Sequence, residues 1–146
     1  MNMKLLTALL CIMHVLFCSG SFAEGSEWVY YFTSPGSGDF YYDKSSIHCR
    51  SGDTLQITEK HILDKIAIQR GEAYFGEQYR KVDHRLILTE VNCNLRSYRT
   101  LKHSGYSPDG KVVHDITIGE PIEWNPIPGE TALDALYKQV CESIDN

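Results

Sequence analysis

The chain has no apolar run long enough to cross a bilayer. Its most hydrophobic stretch, Leu5 to Phe17, falls well short of the ~20 residues that a membrane-spanning helix needs. It contains no C-x-x-C, no H-x-H and no H-E-x-x-H, which removes the common redox, zinc-finger and zinc-protease patterns. No G-x-S-x-G is present, so there is no serine nucleophile elbow. Positive charge is also in deficit: 14 Lys and Arg stand against 19 Asp and Glu, for a net charge of -5. That balance argues against nucleic acid as a partner. Internal repeats and low-complexity tracts are missing too, and 146 residues suffice for one domain.

What is present begins with an export signal. Lys4 gives a short positive start, the apolar run follows, and Ser21-Phe22-Ala23 offers small residues where a signal peptidase reads them. We therefore expect a signal peptide over residues 1–23 and a single mature domain over 24–146. Cys18 raises a rival reading, a lipidated start, but Phe17 before it is too bulky for that processing site, and cleavage after Ala23 is favoured. Export implies an oxidising compartment in which disulfides persist. Cys49, Cys93 and Cys141 remain in the mature chain.

The last of these sits on the strongest helical pattern. Leu133, Leu136, Tyr137, Val140, Cys141 and Ile144 form one stripe at a 3.6-residue period, and Thr131 is placed to cap the first turn, with Asp134 three residues on. The sulfur of Cys141 thus points at whatever a helix over 131–144 covers. Its best partner is Cys93, at the end of an extended apolar segment. A bridge closing about 48 residues is worth about 4 kcal/mol in the chain-entropy model. Cys49 follows Ile47 on a strand and reads as a small buried side chain rather than an intermolecular bridge.

Upstream, aromatic and β-branched residues mark strands at Ser26–Thr33, Asp39–Asp43, Ile47–Arg50, Thr54–Ile68, Val82–Cys93, Leu95–Lys102 and Lys111–Ile118, separated by Gly, Pro, Asn and Asp turns. On the fourth, Leu55, Ile57 and Leu63 share one parity. Gln69–Arg80, with Gly71 and Gly76, reads as a long mobile loop. Gly119–Gly129 carries three prolines and reads as a crossing loop pinned to the core by Trp124. Strands followed by one helix make an α+β domain. The expected fold is an antiparallel meander of about six strands, with the C-terminal helix packed on one face and tied by the disulfide.

Catalytic constellations do not assemble. His48, His61, His84, His103 and His114 are scattered and read as surface residues, with no metal or cofactor implied. His48 and Cys49 are neighbours on a strand, so they point to opposite faces. The feature with binding character lies between residues 78 and 103, where Arg80, Lys81, Arg85, Arg96, Arg99 and Lys102 outnumber Asp83 and Glu90. Tyr79, Tyr98 and Tyr106 are interspersed. On the returning strand Arg96, Tyr98 and Lys102 share a parity and leave Arg99 on the other face. Arg and Tyr are common interface anchors, so Arg80, Lys81, Arg85, Arg96, Tyr98, Arg99 and Lys102 form the candidate ligand site, for an acidic protein segment or a sulfated glycan. The plainer reading is a solvated face whose charges discourage edge pairing. The Tyr30, Tyr31, Tyr41, Tyr42 hairpin reads as packed surface, not a ligand cage.

Three stretches carry a family resemblance: WVYYFTSPGSGDFYYDKSSI, LTEVNCNLRSYRTLK and EWNPIPGETALDALYKQVC. In this order the chain resembles the surface-adhesin protein E-like family of exported bacterial proteins. The resemblance implies an antiparallel sheet with its C-terminal helix held by a disulfide, in agreement with the Cys93–Cys141 pairing. It implies a non-enzymatic binding protein, a surface adhesin for host extracellular-matrix or plasma glycoproteins, located in the periplasm or at the outer membrane and cell surface. Family members suggest a homodimer. The alternative is a periplasmic envelope protein, such as an inhibitor of a lytic enzyme or an assembly factor; a small hydrolase ranks last.

Overall fold

The computed structural model describes residues 25–119 and 122–142. The expected signal peptide, Cys18 and the end of the expected C-terminal helix lie outside them. The elements are β1 (Trp28–Ser34), β2 (Gly38–Asp43), a 3₁₀ turn (Lys44–Ser46), β3 (His48–Ser51), β4 (Thr54–Leu63), α1 (Lys65–Phe75), a second 3₁₀ turn (Glu77–Lys81), β5 (His84–Asn92), β6 (Ser97–Tyr106), β7 (Val112–Thr117), β8 (Asn125–Pro126) and α2 (Ala132–Tyr137), which continues as a π turn over Lys138–Glu142. All strand pairs are antiparallel, in the order β1-β2-β4-β5-β6-β7, with β3 on β4 and β8 on β6. The expected α+β meander with a C-terminal helix is the observed architecture.

Both helices lie on the same face of the sheet. The α2 side buries Tyr42, Leu55, Ile57, Val91, Ile127, Leu136 and Val140. Thr131 caps α2, its hydroxyl accepting from the Asp134 amide at 3.2 Å. Cys93 and Cys141 are joined, with Cα atoms 5.5 Å apart. The Tyr137 hydroxyl donates to the Cys93 carbonyl at 2.9 Å, fastening the same junction by a second route.

The second helix, α1, replaces the mobile loop expected at Gln69–Arg80 and cuts short the strand expected to reach Ile68. Asp64 starts it: its carboxylate accepts from the Ala67 amide at 2.8 Å, as an N-cap should. Gly76, at φ 90°, ends it. Gly71 suggested a loop, yet its role is packing. A Cβ there would fall 1.9 Å from Cε1 of Tyr79, which lies under the helix and is 1% exposed. Tyr79, Val82 and Leu63 form a second core with Ala67, Ile68, Phe75 and Val113.

Two other expectations are corrected. Cys49 is exposed on β3, not buried: β3 pairs along one side with β4 and has all four residues exposed. Trp124 does not pin the crossing loop to the core. It is 38% exposed and stacks on the Arg99 guanidinium at 4.6 Å; Ile127, 6% exposed, is the loop residue that enters the core.

Candidate functional site

The cationic residues singled out in the sequence do not converge. Arg80 and Lys81 are exposed on the second 3₁₀ turn, where Arg80 meets Glu72 at 2.5 Å. They edge a groove of about 760 Å³ floored by Leu63, Ile68, Val82 and Val113. Arg96 sits in the β5–β6 turn at φ 47°, a backbone region that costs a non-glycine residue about 1 kcal/mol or more. Its guanidinium pairs with Asp134 of α2 and covers the Tyr137 ring at 4.7 Å, so it serves helix docking. Lys138, the Glu130 amide and Arg96 together hold the Asp134 carboxyl below the usual carboxylate range. Tyr98 packs against the α2 core.

Parity on β6 is broken by a bulge. Leu88 pairs with Lys102 and Thr89 with Thr100, which leaves Leu101 as the extra residue. Tyr98, opposite Val91, therefore faces the helices, whereas Lys102 joins Arg99 on the other face. Sequence spacing put Lys102 with Tyr98, because one inserted residue inverts the alternation and nothing in the local sequence marks it.

Arg85 goes elsewhere, into a polar row that runs across the helix-bearing face between the two cores. Glu59 and His61 share the buried parity of β4 with Leu55, Ile57 and Leu63. Glu59 is 2% exposed and accepts from the Tyr31 hydroxyl at 2.7 Å and from the Thr89 hydroxyl. His61 Nε2 lies 3.2 Å from the same carboxylate, and Arg85 Nε donates to His61 Nδ1 at 3.2 Å. Arginine can only donate, so Nδ1 is the acceptor and Nε2 carries the proton given to Glu59. Burial alone raises a carboxyl pKa, but here the hydrogen bonds from His61, Thr89 and Tyr31 outweigh it and the Glu59 carboxyl is held low. Burial and the adjacent Glu59 push the Tyr31 phenol far up, which keeps it a donor. A bulge in β1 between Tyr30 and Phe32 turns Tyr31 toward this row.

Farther along, His103 and His114 approach to 3.3 Å beside Phe75 and Tyr79. Burial first, then the charge of Arg85, lowers the His103 pKa to about 4, and the same two causes lower that of His114. The sequence pattern reads these histidines as scattered surface residues; instead His61 is buried and His103 and His114 are half-buried and in contact. The signal for the row was available: a glutamate and a histidine in phase with the buried leucines of β4 is an exception to the alternation it otherwise follows. Among the described residues, no three His, Cys, Asp or Glu side chains gather as a metal site.

Among the described residues, no α-helix lies on the opposite face. It presents Trp28, Tyr30, Tyr41, Lys60, Ile62, Leu86, Leu88, Arg99 and Lys102 in register across five strands. Tyr30, 54% exposed, meets Tyr41 edge-on at 5.6 Å, and Lys60 lies 5.6 Å from the Trp28 ring. Arg99 is committed to the buried Glu90 at 2.7 Å and Lys102 to Asp115 at 3.1 Å. Of the four hairpin tyrosines, Tyr31 and Tyr42 pack inward and Tyr30 and Tyr41 look out.

A twisted antiparallel sheet with helices on one side and an aromatic face left open matches a known fold. Crystal form II of Haemophilus influenzae protein E superposes with a TM-score of 0.58 at 13% identity, covering 88% of this chain and 97% of that one. A second structure of Haemophilus influenzae protein E gives 0.55 at 13% identity, over 86% and 91%. Protein E from non-typeable Haemophilus influenzae gives 0.53 at 11% identity, over 86% and 83%. Residues 28–142 match the family described as surface-adhesin protein E. The chain belongs to that family. No curated protein matches it by sequence. No described helix is long and apolar enough to cross a membrane.

Proposed function

We propose that this is an exported, non-enzymatic binding domain that acts as a surface adhesin, and that it takes a host matrix or plasma glycoprotein on its helix-free face. The observation that carries the reading is the family match over residues 28–142 together with an open face rich in the residue types that anchor protein interfaces. Tyr30, Tyr41 and Trp28 supply rigid apolar area, and Lys60 and Lys102 supply charge at its margin. Of the cationic residues singled out in the sequence, Arg99 and Lys102 belong to this surface; Arg96 and Tyr98 are taken up by α2.

The test is surface plasmon resonance on immobilised extracellular-matrix and plasma glycoproteins at low and high salt. Tyr30→Ser with Tyr41→Ser, and separately Lys60→Glu with Lys102→Glu, should each weaken binding at least tenfold. The charge pair should also flatten its salt dependence. Arg99 is left intact because removing it would leave the buried Glu90 with only the longer Arg50 contact. Wild-type binding that survives both double variants would place the ligand elsewhere. No binding to any such glycoprotein, with protection from protease on intact cells, would leave a periplasmic partner instead.

A further inference from the structure

The chain has six arginines, at positions 50, 70, 80, 85, 96 and 99. Four are matched to carboxylates: Arg50 and Arg99 to Glu90, Arg80 to Glu72, and Arg96 to Asp134. Arg70 and Arg85 have no carboxylate within ion-pair distance among the described residues. These two, from different elements, line the same cavity. It measures about 240 Å³ and lies between α1, the β1–β2 turn and the start of β5. Ser37 offers a hydroxyl at its wall, and Tyr74, Phe75 and Tyr79 give aromatic surface. Among the described residues, no acidic side chain lines it.

Arg85 is anchored through His61, and Arg70 is exposed at the cavity edge. The Arg85 Nε is used on the Nδ1 of His61, and its terminal nitrogens make no hydrogen bond among the described residues. Arg70 rests against the β1–β2 turn: its Nη2 lies 3.3 Å from where a Cβ on Gly36 would stand. Arg85 is half-buried, and a partly desolvated guanidinium with no carboxylate beside it favours an incoming anion. The pKa values of the neighbouring His103 and His114 are lowered, so these rings add no competing positive charge.

We propose that this cavity is an oxyanion site, and that Arg70 and Arg85 clamp the phosphate of a phosphate monoester. Two guanidinium charges match a group that carries about -1.5 to -2 at pH 7. Two planar donor forks and one hydroxyl suit a tetrahedral group with three free oxygens better than a carboxylate with two. Tyr74 and Phe75 flank the position of the ester substituent.

The test is isothermal titration calorimetry on the full mature chain at constant ionic strength, with amide NMR shifts recorded alongside. Inorganic phosphate and phenyl phosphate are the probes. Both should saturate and shift residues of α1 and the β1–β2 turn, and phenyl phosphate should bind several-fold tighter. Equal affinities would assign the same site to the free anion. Arg70→Ala, at an exposed position, should weaken binding roughly ten- to hundredfold, the loss expected for a charge-assisted contact. Arg85→Lys should keep the charge, lose the fork and weaken it as well. Arg80→Ala, which removes a guanidinium already engaged by Glu72, should bind as wild type. The proposal is overturned if neither probe saturates, or if Arg70→Ala and Arg85→Lys titrate like the parent.

Discussion

Replacing Gly71 by alanine sets two effects of opposite sign against each other. Alanine favours a helix interior over glycine by about 1 kcal/mol, so on an exposed α1 the change would stabilise. Here the new methyl would lie 1.9, 2.3 and 2.5 Å from three atoms of the Tyr79 ring. The ring has little room to swing aside, because it is 1% exposed and belongs to a three-ring cluster with Phe75 and His114, whose centroids lie 5.2, 5.2 and 5.0 Å apart. Overpacking of a closed core costs about 1–3 kcal/mol, and contact with three atoms of one rigid ring belongs at the upper end. The net expectation is a loss of about 1–2 kcal/mol, or a fall in melting temperature of roughly 3–10 °C. Thermal circular dichroism and urea midpoints measure it. Tyr79→Leu provides the control: with the ring gone, Gly71→Ala should be neutral or stabilising, giving a coupling of about 1–3 kcal/mol in the double-mutant cycle. A rise in melting temperature for Gly71→Ala alone, or equal effects in both backgrounds, would refute the packing account.

Reduction of the Cys93–Cys141 bridge, or Cys93→Ser with Cys141→Ser, should cost about 4 kcal/mol, read as a lower urea midpoint with dithiothreitol than without. A bridge whose loss leaves the midpoint unchanged would mean the unfolded chain is already compact. For His103, burial and the nearby Arg85 hold the folded pKa at about 4, against an ordinary histidine value of 6.5. The unfolded chain therefore binds the proton first, and stability is full above pH 6.5 and is lost as pH falls toward 4. That loss amounts to about 1–2 kcal/mol once solvent screening of a half-buried ring is allowed for. A ring proton resonance that titrates near pH 6.5 in the folded protein would contradict it. Glu59→Gln should destabilise by about 1–3 kcal/mol, because its amide brings donors toward Tyr31, Thr89 and His61, which already donate; a midpoint equal to the parent's would show that the row tolerates a neutral amide.

The strand order and the C-terminal staple were readable because each rests on a periodic signal. Leu133, Leu136, Val140 and Cys141 recur at helical spacing, and Leu55 and Ile57 alternate. The helix α1 was not readable from such a pattern. Its glycine at position 71 and sparse apolar stripe imitate a loop, and only the ring of Tyr79, eight residues later, explains the missing side chain. The candidate site was legible in composition and not in placement. The bulge at Leu101 sends Lys102 across the sheet, and the acids that claim Arg96 and Arg99 come from Asp134, far along the chain, and from the neighbouring strand. Arg70 drew no notice because it lay in the presumed loop.

Glu59, His61 and Arg85 divide the helix-bearing face into two hydrophobic compartments, and only one of them contains a covalent tie. The compartments need not open together. Amides of α1 should exchange with deuterium through a local excursion that leaves the Cys93 junction closed, whereas those of β5 near Val91 should wait for global unfolding. A domain built this way can loosen one shoulder while the other stays shut, with its C-terminal segment still fastened to the sheet.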